Sequence, residues 1–225
     1  PAQALYGLHT VRALANFEVG GEQLRDQPLL VTAAAQVKVA SARANSLSGA
    51  LDPGLVDAIV TAGREVAAGS HRDEFPLPLL HGGGGTSFNM NVNEVIANRA
   101  NQLLGGALGA YSPVHPNDHV NRSQSTNDVV PTAVSLAVVV SGRATVEALH
   151  HLGAVLRAKA AEQGGLERLG RTCLQDAVPL TVRDTHLAQA QAVERTTAGL
   201  AAALDDLLAV PLGATVLGTG SGLPP

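Results

Sequence analysis

Apolar residues recur at helical spacing along most of this chain. From Pro28 to about Ser48, Leu30, Ala33, Ala34, Val37, Ala40 and Ala44 share one face, with Asp26 just ahead as a candidate cap. Gly49 and Asp52-Pro53-Gly54 interrupt this helix, and a second is expected from Pro53 to Ala68, with Leu55, Ile59, Ala62 and Val66 in a row and Gly69 as its stop. Phe75-Pro76-Leu77-Pro78 reads as extended, because residues before proline avoid the helical region. A glycine run, Gly82 to Gly85, precedes a third helix expected from Asn89 to Leu104. A loop follows over Tyr111 to Asn121. Thr126 to Gln163 and Thr181 to Val210 then read as two long helices, the second carrying Leu187, Ala190, Val193, Thr197, Leu200, Leu204 and Leu207. Roughly twenty residues join them, so they are expected to be bundle neighbours, and two helices cannot cover both stripes without partners.

This pattern predicts a mainly α protein: a small N-terminal helical domain over 1–121, then a partial helical bundle over 122–225. Composition supports it. Of 225 residues 45% are hydrophobic but only 2% aromatic, with no Trp, so the core is built from Ala, Leu and Val, whose small side chains let helix axes approach. Lys+Arg 15 against Asp+Glu 19 gives a net charge of −4, which argues against a general nucleic-acid binder but leaves room for a local cationic pocket. The single cysteine, Cys173, rules out an internal disulfide and a cysteine-based zinc cluster, and fits a cytoplasmic location. No secretory leader opens the chain, and no continuous apolar stretch reaches the ~20 residues of a membrane span, so no membrane partner is expected. Pro1 is not an ordinary translation start and Leu223-Pro224-Pro225 gives no helical closure, so both ends are expected to be cut points.

Chemistry concentrates in a few polar segments. Gly82 to Asn91 places a glycine-rich turn directly before a helix, freeing backbone N–H groups and a positive dipole end for an anion; a plain flexible turn explains the glycines equally well. Ser123-Gln124-Ser125-Thr126-Asn127-Asp128 crowds hydroxyls and amides at a helix start; capping explains one of them and not the run. Gly170 to Asp176, taken alone, reads as a loop with a local Arg171–Asp176 ion pair. His115 and His119 have metal-ligand spacing only if helical, which Pro116 disfavours, so a turn is expected there; His150 and His151 read as solvated.

Taken together these segments resemble the aspartase/fumarase superfamily of lyases. The resemblance rests on Gly85-Thr86-Ser87-x-Asn89-Met90-Asn91-x-Asn93-Glu94-Val95, His115-Pro116-Asn117-Asp118-His119-Val120-Asn121, Ser123 to Asp128 with Pro131-Thr132, Gly170-Arg171-Thr172-x-Leu174-Gln175-Asp176-Ala177-Val178-Pro179 and Gly213-Ala214-Thr215-x-x-Gly218-Thr219-Gly220. It runs the length of the chain. Within the superfamily it leans to the aspartate ammonia-lyases, on the Tyr6 to Ala13 opening, on Ser87 where fumarases usually carry Gln, and on Gln175 where fumarases commonly carry Met; His115 to Asp118 pulls towards the fumarases.

The resemblance implies a carbon–nitrogen lyase that deaminates L-aspartate to fumarate through an aci-carboxylate, with fumarate hydratase, or a truncated and non-catalytic relative, as alternatives. It implies Thr86, Ser125, Thr126, Asn127, Thr172 and Cys173 as substrate-binding positions, Asn127 orienting the leaving group, and His115, Asn117 and Asp118 as a secondary anion site. No catalytic residue is identifiable, because the family's base is a serine on a Gly-Ser-Ser-x-Met-Pro-x-Lys-x-Asn loop that this sequence does not contain. The chain thus resembles the N-terminal half of such an enzyme. A small dicarboxylate substrate, a homotetramer with shared active sites and no cofactor or metal are expected; divalent-cation activation, as in some aspartases, stays open. Two departures stand out: Cys173 where most relatives have a His that fumarases use for substrate contact and proton handling, and Arg183-Asp184-Thr185 where Gly-Gln-Glu is typical.

Overall fold

The computed structural model describes residues 3–224; Pro1 and Pro225, at the expected cut ends, lie outside them. The protein is mainly α-helical. Its helices are α1 (Leu8–Asn16), α2 (Pro28–Leu47), α3 (Pro53–Ala67), α4 (Thr86–Leu103), α5 (Thr126–Glu162) and α6 (Val182–Asp206), with strands β1 (Glu167–Thr172) and β2 (Gln175–Thr181) between the last two. Two compact units result: residues 1–137 with 210–225, and residues 138–209. The boundary expected after residue 121 falls inside the first unit.

The first unit packs α2, α3 and α4 around an alanine- and valine-rich core that includes Ala34, Ala35, Ile59, Ala62, Val92, Val95, Ile96 and Ala100. Asp52 caps α3 by accepting from the Gly54 N–H at 2.7 Å, and Gly69 ends it with φ +83°. Asp26 does not cap α2. Its carboxylate instead accepts from the Gln23 N–H at 3.0 Å and closes the 3₁₀ turn Leu24–Asp26, leaving α2 to start on Pro28 at its first position. The buried face of α2 is also rotated from the expected one: Ala40 and Ala44 are exposed, whereas Lys38, Ser41 and Asn45 are buried. The proline-rich segment is extended as expected, with Leu24 N–H bonded to Leu77 O at 2.9 Å and Leu79 N–H to Glu22 O at 2.8 Å.

Helix α4 is the polar spine of this unit and starts three residues before the expected Asn89. Its buried asparagines tie down loops. Asn98 Nδ2 donates to Leu5 O at 2.7 Å, while Asn101 both donates to Val114 O and accepts from Val114 N–H. Glu94, fully buried, receives the Gly7, His9 and Thr10 N–H groups, the Thr10 hydroxyl and the Tyr111 hydroxyl. An internal carboxylate thus occupies the positive end of α1. Burial, helped by the Glu94 carboxylate, pushes the Tyr111 hydroxyl up to about 12. Glu65 of α3 pairs with Arg99 of α4 and with His71, and the Arg99 hydrogen bonds hold its carboxyl down at about 2.

In the second unit α6 buries or half-buries every member of its expected stripe. Gly142 admits Leu204, since a Cβ there would clash with a Leu204 methyl, and Arg157 forms a two-point ion pair with Glu194. The connection between the long helices is not an ordinary loop but an antiparallel hairpin, with Thr172 opposite Gln175 and a two-residue turn at Cys173-Leu174, both at positive φ. The local Arg171–Asp176 pair does form, at 3.1 Å. Asp184, one of the departures, has a physical account: it and Thr181 form a reciprocal capping box on α6.

Helix α5 corrects a further expectation. Counted as a 37-residue helix rather than a continuous apolar run, it is long and apolar enough to cross a membrane, with a window of mean hydropathy 1.6. Val134, Val138, Val140, Leu152 and Val155 along it are exposed.

Candidate active site

Two helix N-termini meet in the first unit. Gly85 caps α4 with φ +85°, and a Cβ there would come within 2.9 Å of Val130 on α5, so only glycine allows this approach. From the first turn of α4, Asn89 Nδ2 donates to Thr126 Oγ1 at 3.2 Å. At the start of α5, Ser125 Oγ accepts from the Asn127 N–H at 3.1 Å, while Asp128 accepts from the Ser125 N–H at 3.0 Å. Asp128 is fully buried, and its second oxygen accepts from the Thr215 N–H at 2.9 Å. Asn127 Nδ2 donates to Val216 O at 3.0 Å, so the Gly213 to Gly220 segment folds against the start of α5. A cleft of about 340 Å³ lies here, lined by Ser123, Gln124, Ser125, Thr215 and Ser221 among others.

The polarity of these contacts matters more than their number. A hydroxyl has one proton to give and two lone pairs. Ser125 and Thr126 each receive a hydrogen bond from the protein, which leaves their protons for a ligand. Thr86 differs: its hydroxyl donates to Gly83 O at 2.9 Å, so its proton is engaged within the glycine turn.

Thr172 and Cys173 sit in the second unit, exposed on the hairpin. The Thr172 backbone pairs with Gln175 of β2, and the turn holds Cys173 at φ +50° and Leu174 at φ +63°.

Contrary to expectation, Pro116 opens a one-turn π-helix, Pro116–Val120, occupying its first position where a missing N–H costs nothing. His115 is the cap, its Nδ1 accepting from the Asn117 and Asp118 N–H groups at 3.3 and 3.1 Å. His115, Asn117 and Asp118 are therefore brought together. His119 Nδ1 is taken by the His115 N–H at 2.8 Å, and burial lowers its basicity. Among the described residues no group of three or more His, Cys, Asp or Glu side chains is placed to hold a metal ion.

Lys38 is the polar residue that the sequence reading missed. It is fully buried, and its ammonium donates to Asn121 Oδ1 at 2.7 Å and Gln124 Oε1 at 3.1 Å. Burial pulls it down to about 7, opposed by the field of Asp128. One signal was available: Lys38 is the only charged residue between Pro28 and Ala42.

Comparison with known proteins gives this geometry its family. The lyase family model matches residues 1–225. Fumarate hydratase class II of Nitrosomonas europaea is 45% identical over 221 residues, covering 98% of this chain and 47% of that protein. Mouse mitochondrial fumarate hydratase is 42% identical, covering 98% of this chain and 43% of its own length. Among solved structures, a fumarate lyase:delta crystallin from Brucella melitensis bound to cobalt superposes with TM-score 0.94 at 43% identity, covering 99% of this chain and 48% of that one. Class II fumarase of Schistosoma mansoni gives 0.92 at 37% identity, covering 99% and 47%. The chain spans about half the length of these relatives. The two sequence relatives named are fumarate hydratases, which favours the hydratase alternative over the aspartate reading drawn from Ser87 and Gln175. The chain belongs to the aspartase/fumarase superfamily of lyases.

Proposed function

We propose that this chain supplies the dicarboxylate-binding part of a fumarate hydratase, a lyase that interconverts malate and fumarate. The observation that carries the reading is the hydrogen-bond polarity at Ser125 and Thr126: both hydroxyls are supplied with donors from the protein and keep their own protons for an anion. In the dehydration direction a base removes a proton from the carbon beside one carboxylate. That carboxylate becomes a dianionic aci-form, and the hydroxyl leaves from the neighbouring carbon. The aci-form is the costly species, so donors fixed in advance at its oxygens lower the barrier most. Ser125 and Thr126 take this role at the paired helix ends, with Asn127 orienting the leaving group. Thr86 joins them by turning its proton away from Gly83. His115, Asn117 and Asp118, clustered on one π-turn, form the secondary anion site. The base is not assigned to any residue of this chain.

The exposed valines and leucines of α5 support assembly into a homotetramer, where they would be covered and the long helix would be a bundle element. A cytoplasmic location and a reaction without cofactor complete the proposal.

One observation favours deamination of aspartate instead. Cys173 replaces the histidine that hydratases use, so no imidazole is available at that position to handle the proton of a leaving hydroxyl. Turnover of the full-length protein decides between the two, followed by the ultraviolet absorbance of fumarate with malate or aspartate as substrate. Faster malate turnover supports the proposal. Faster aspartate turnover replaces it with the deaminase, and no turnover of either defeats both.

A further inference from the structure

We propose that Lys38 is a positioning residue that sets the direction of the Thr126 hydroxyl, an inference that rests on the reading of Thr126 as a donor to the substrate. Lys38 is fully buried on α2, and its acceptors are two amide oxygens, not carboxylates. A buried ammonium without a contacting counter-ion costs stability, so its presence calls for a role.

The role follows from donor and acceptor chemistry. An ammonium only donates. Asn121 must therefore turn its oxygen, not its nitrogen, towards Lys38. That same oxygen accepts from Asn89 Nδ2 at 3.2 Å, while Asn121 Nδ2 is held by Gln124 O at 3.2 Å. Asn89 is thereby obliged to present its NH₂ group, whose other proton goes to Thr126 Oγ1 at 3.2 Å. With a lone pair occupied, the Thr126 hydroxyl points its proton outward. The arrangement leaves Asn89 Oδ1 buried without a partner, so the amide is held by its nitrogen alone. A flipped Asn89 would offer oxygen to Thr126 and draw its proton inward, converting a substrate donor into an acceptor. Lys38 holds the relay in the unflipped state.

The experiment uses Lys38→Met, which keeps most of the stem and removes the donor, Thr126→Val, which removes the hydroxyl, and the double variant. In the full-length protein, Lys38→Met should lower kcat for malate by about a hundredfold, the cost of one lost oxyanion donor, with a smaller change in KM. In the Thr126→Val background it should cost less than about threefold, because the relay's end is already gone. Equal losses in the two backgrounds would show that Lys38 does not act through Thr126. Side-chain amide resonances of Asn89 and Asn121 provide a readout independent of turnover. Both should shift in Lys38→Met; unchanged resonances in the folded variant overturn the relay. If the unmodified protein turns over no malate, the hydratase reading fails while the amide resonances still decide the relay. Lys38→Leu, which also removes the donor, replaces Met if Met does not fold, with the same expected outcomes.

Discussion

A buried lysine is a stability liability whose size depends on pH. Burial lowers the Lys38 ammonium to about 7, whereas an unfolded lysine titrates near 10.4. Between these values the unfolded chain binds the extra proton, so stability rises with pH across that window, and below about 7 the full cost of burying the charge is present. Lys38→Met should therefore stabilise the protein by a few kcal/mol near pH 6, less the two amide hydrogen bonds it forfeits, and the gain should shrink towards pH 10. Denaturant titrations across that range measure it; a gain that stays flat with pH would contradict a charged, buried Lys38. Glu94 is the opposite case, a buried carboxylate whose donors come from α1 and Tyr111, so its charge is compensated where it sits. Both residues look like surface groups in the sequence. Their partners include segments more than 80 positions distant, and no local pattern encodes that.

At the scale of elements, helix ends were the legible part and faces the less legible part. Asp52 and the prolines at 28 and 53 mark starts that the structure keeps. Helix α4 shows why faces fail: it is buried on nearly all sides, so its asparagines do not mark a solvent face and its periodicity is weak. The hairpin fails for the converse reason. It is exposed on both faces, so no alternation appears, and its turn lacks the Asn-Gly signal. Gly85 is the element boundary most exposed to test. Gly85→Ala meets both a positive φ and the Val130 side chain, and should cost about 1–3 kcal/mol by thermal or denaturant unfolding. A loss below about 0.5 kcal/mol would mean that α4 and α5 do not meet as described.

At the scale of the molecule, the two units differ in how much they bury. The first has a continuous core, whereas buried apolar side chains in the second are few, among them Val139, Ala160, Ala190 and Leu204. Hydrogen exchange on this chain as a monomer should therefore protect α2, α3 and α4 well above α6 and the hairpin. Equal protection in both units would contradict that difference. Assembly, if it covers the exposed side chains of α5, should raise protection in the second unit selectively. From residue order alone came the helical class, most helix starts though not α1 or the first turn of α4, and the superfamily, because these depend on spacing and on short runs of residue types. Comparison with relatives favoured the hydratase alternative over the aspartate reading. The direction of each hydroxyl proton, the burial of Lys38 and the hairpin under Thr172 came from folding, because hydrogen-bond polarity and burial are properties of neighbours in space, and those neighbours are far apart along the chain.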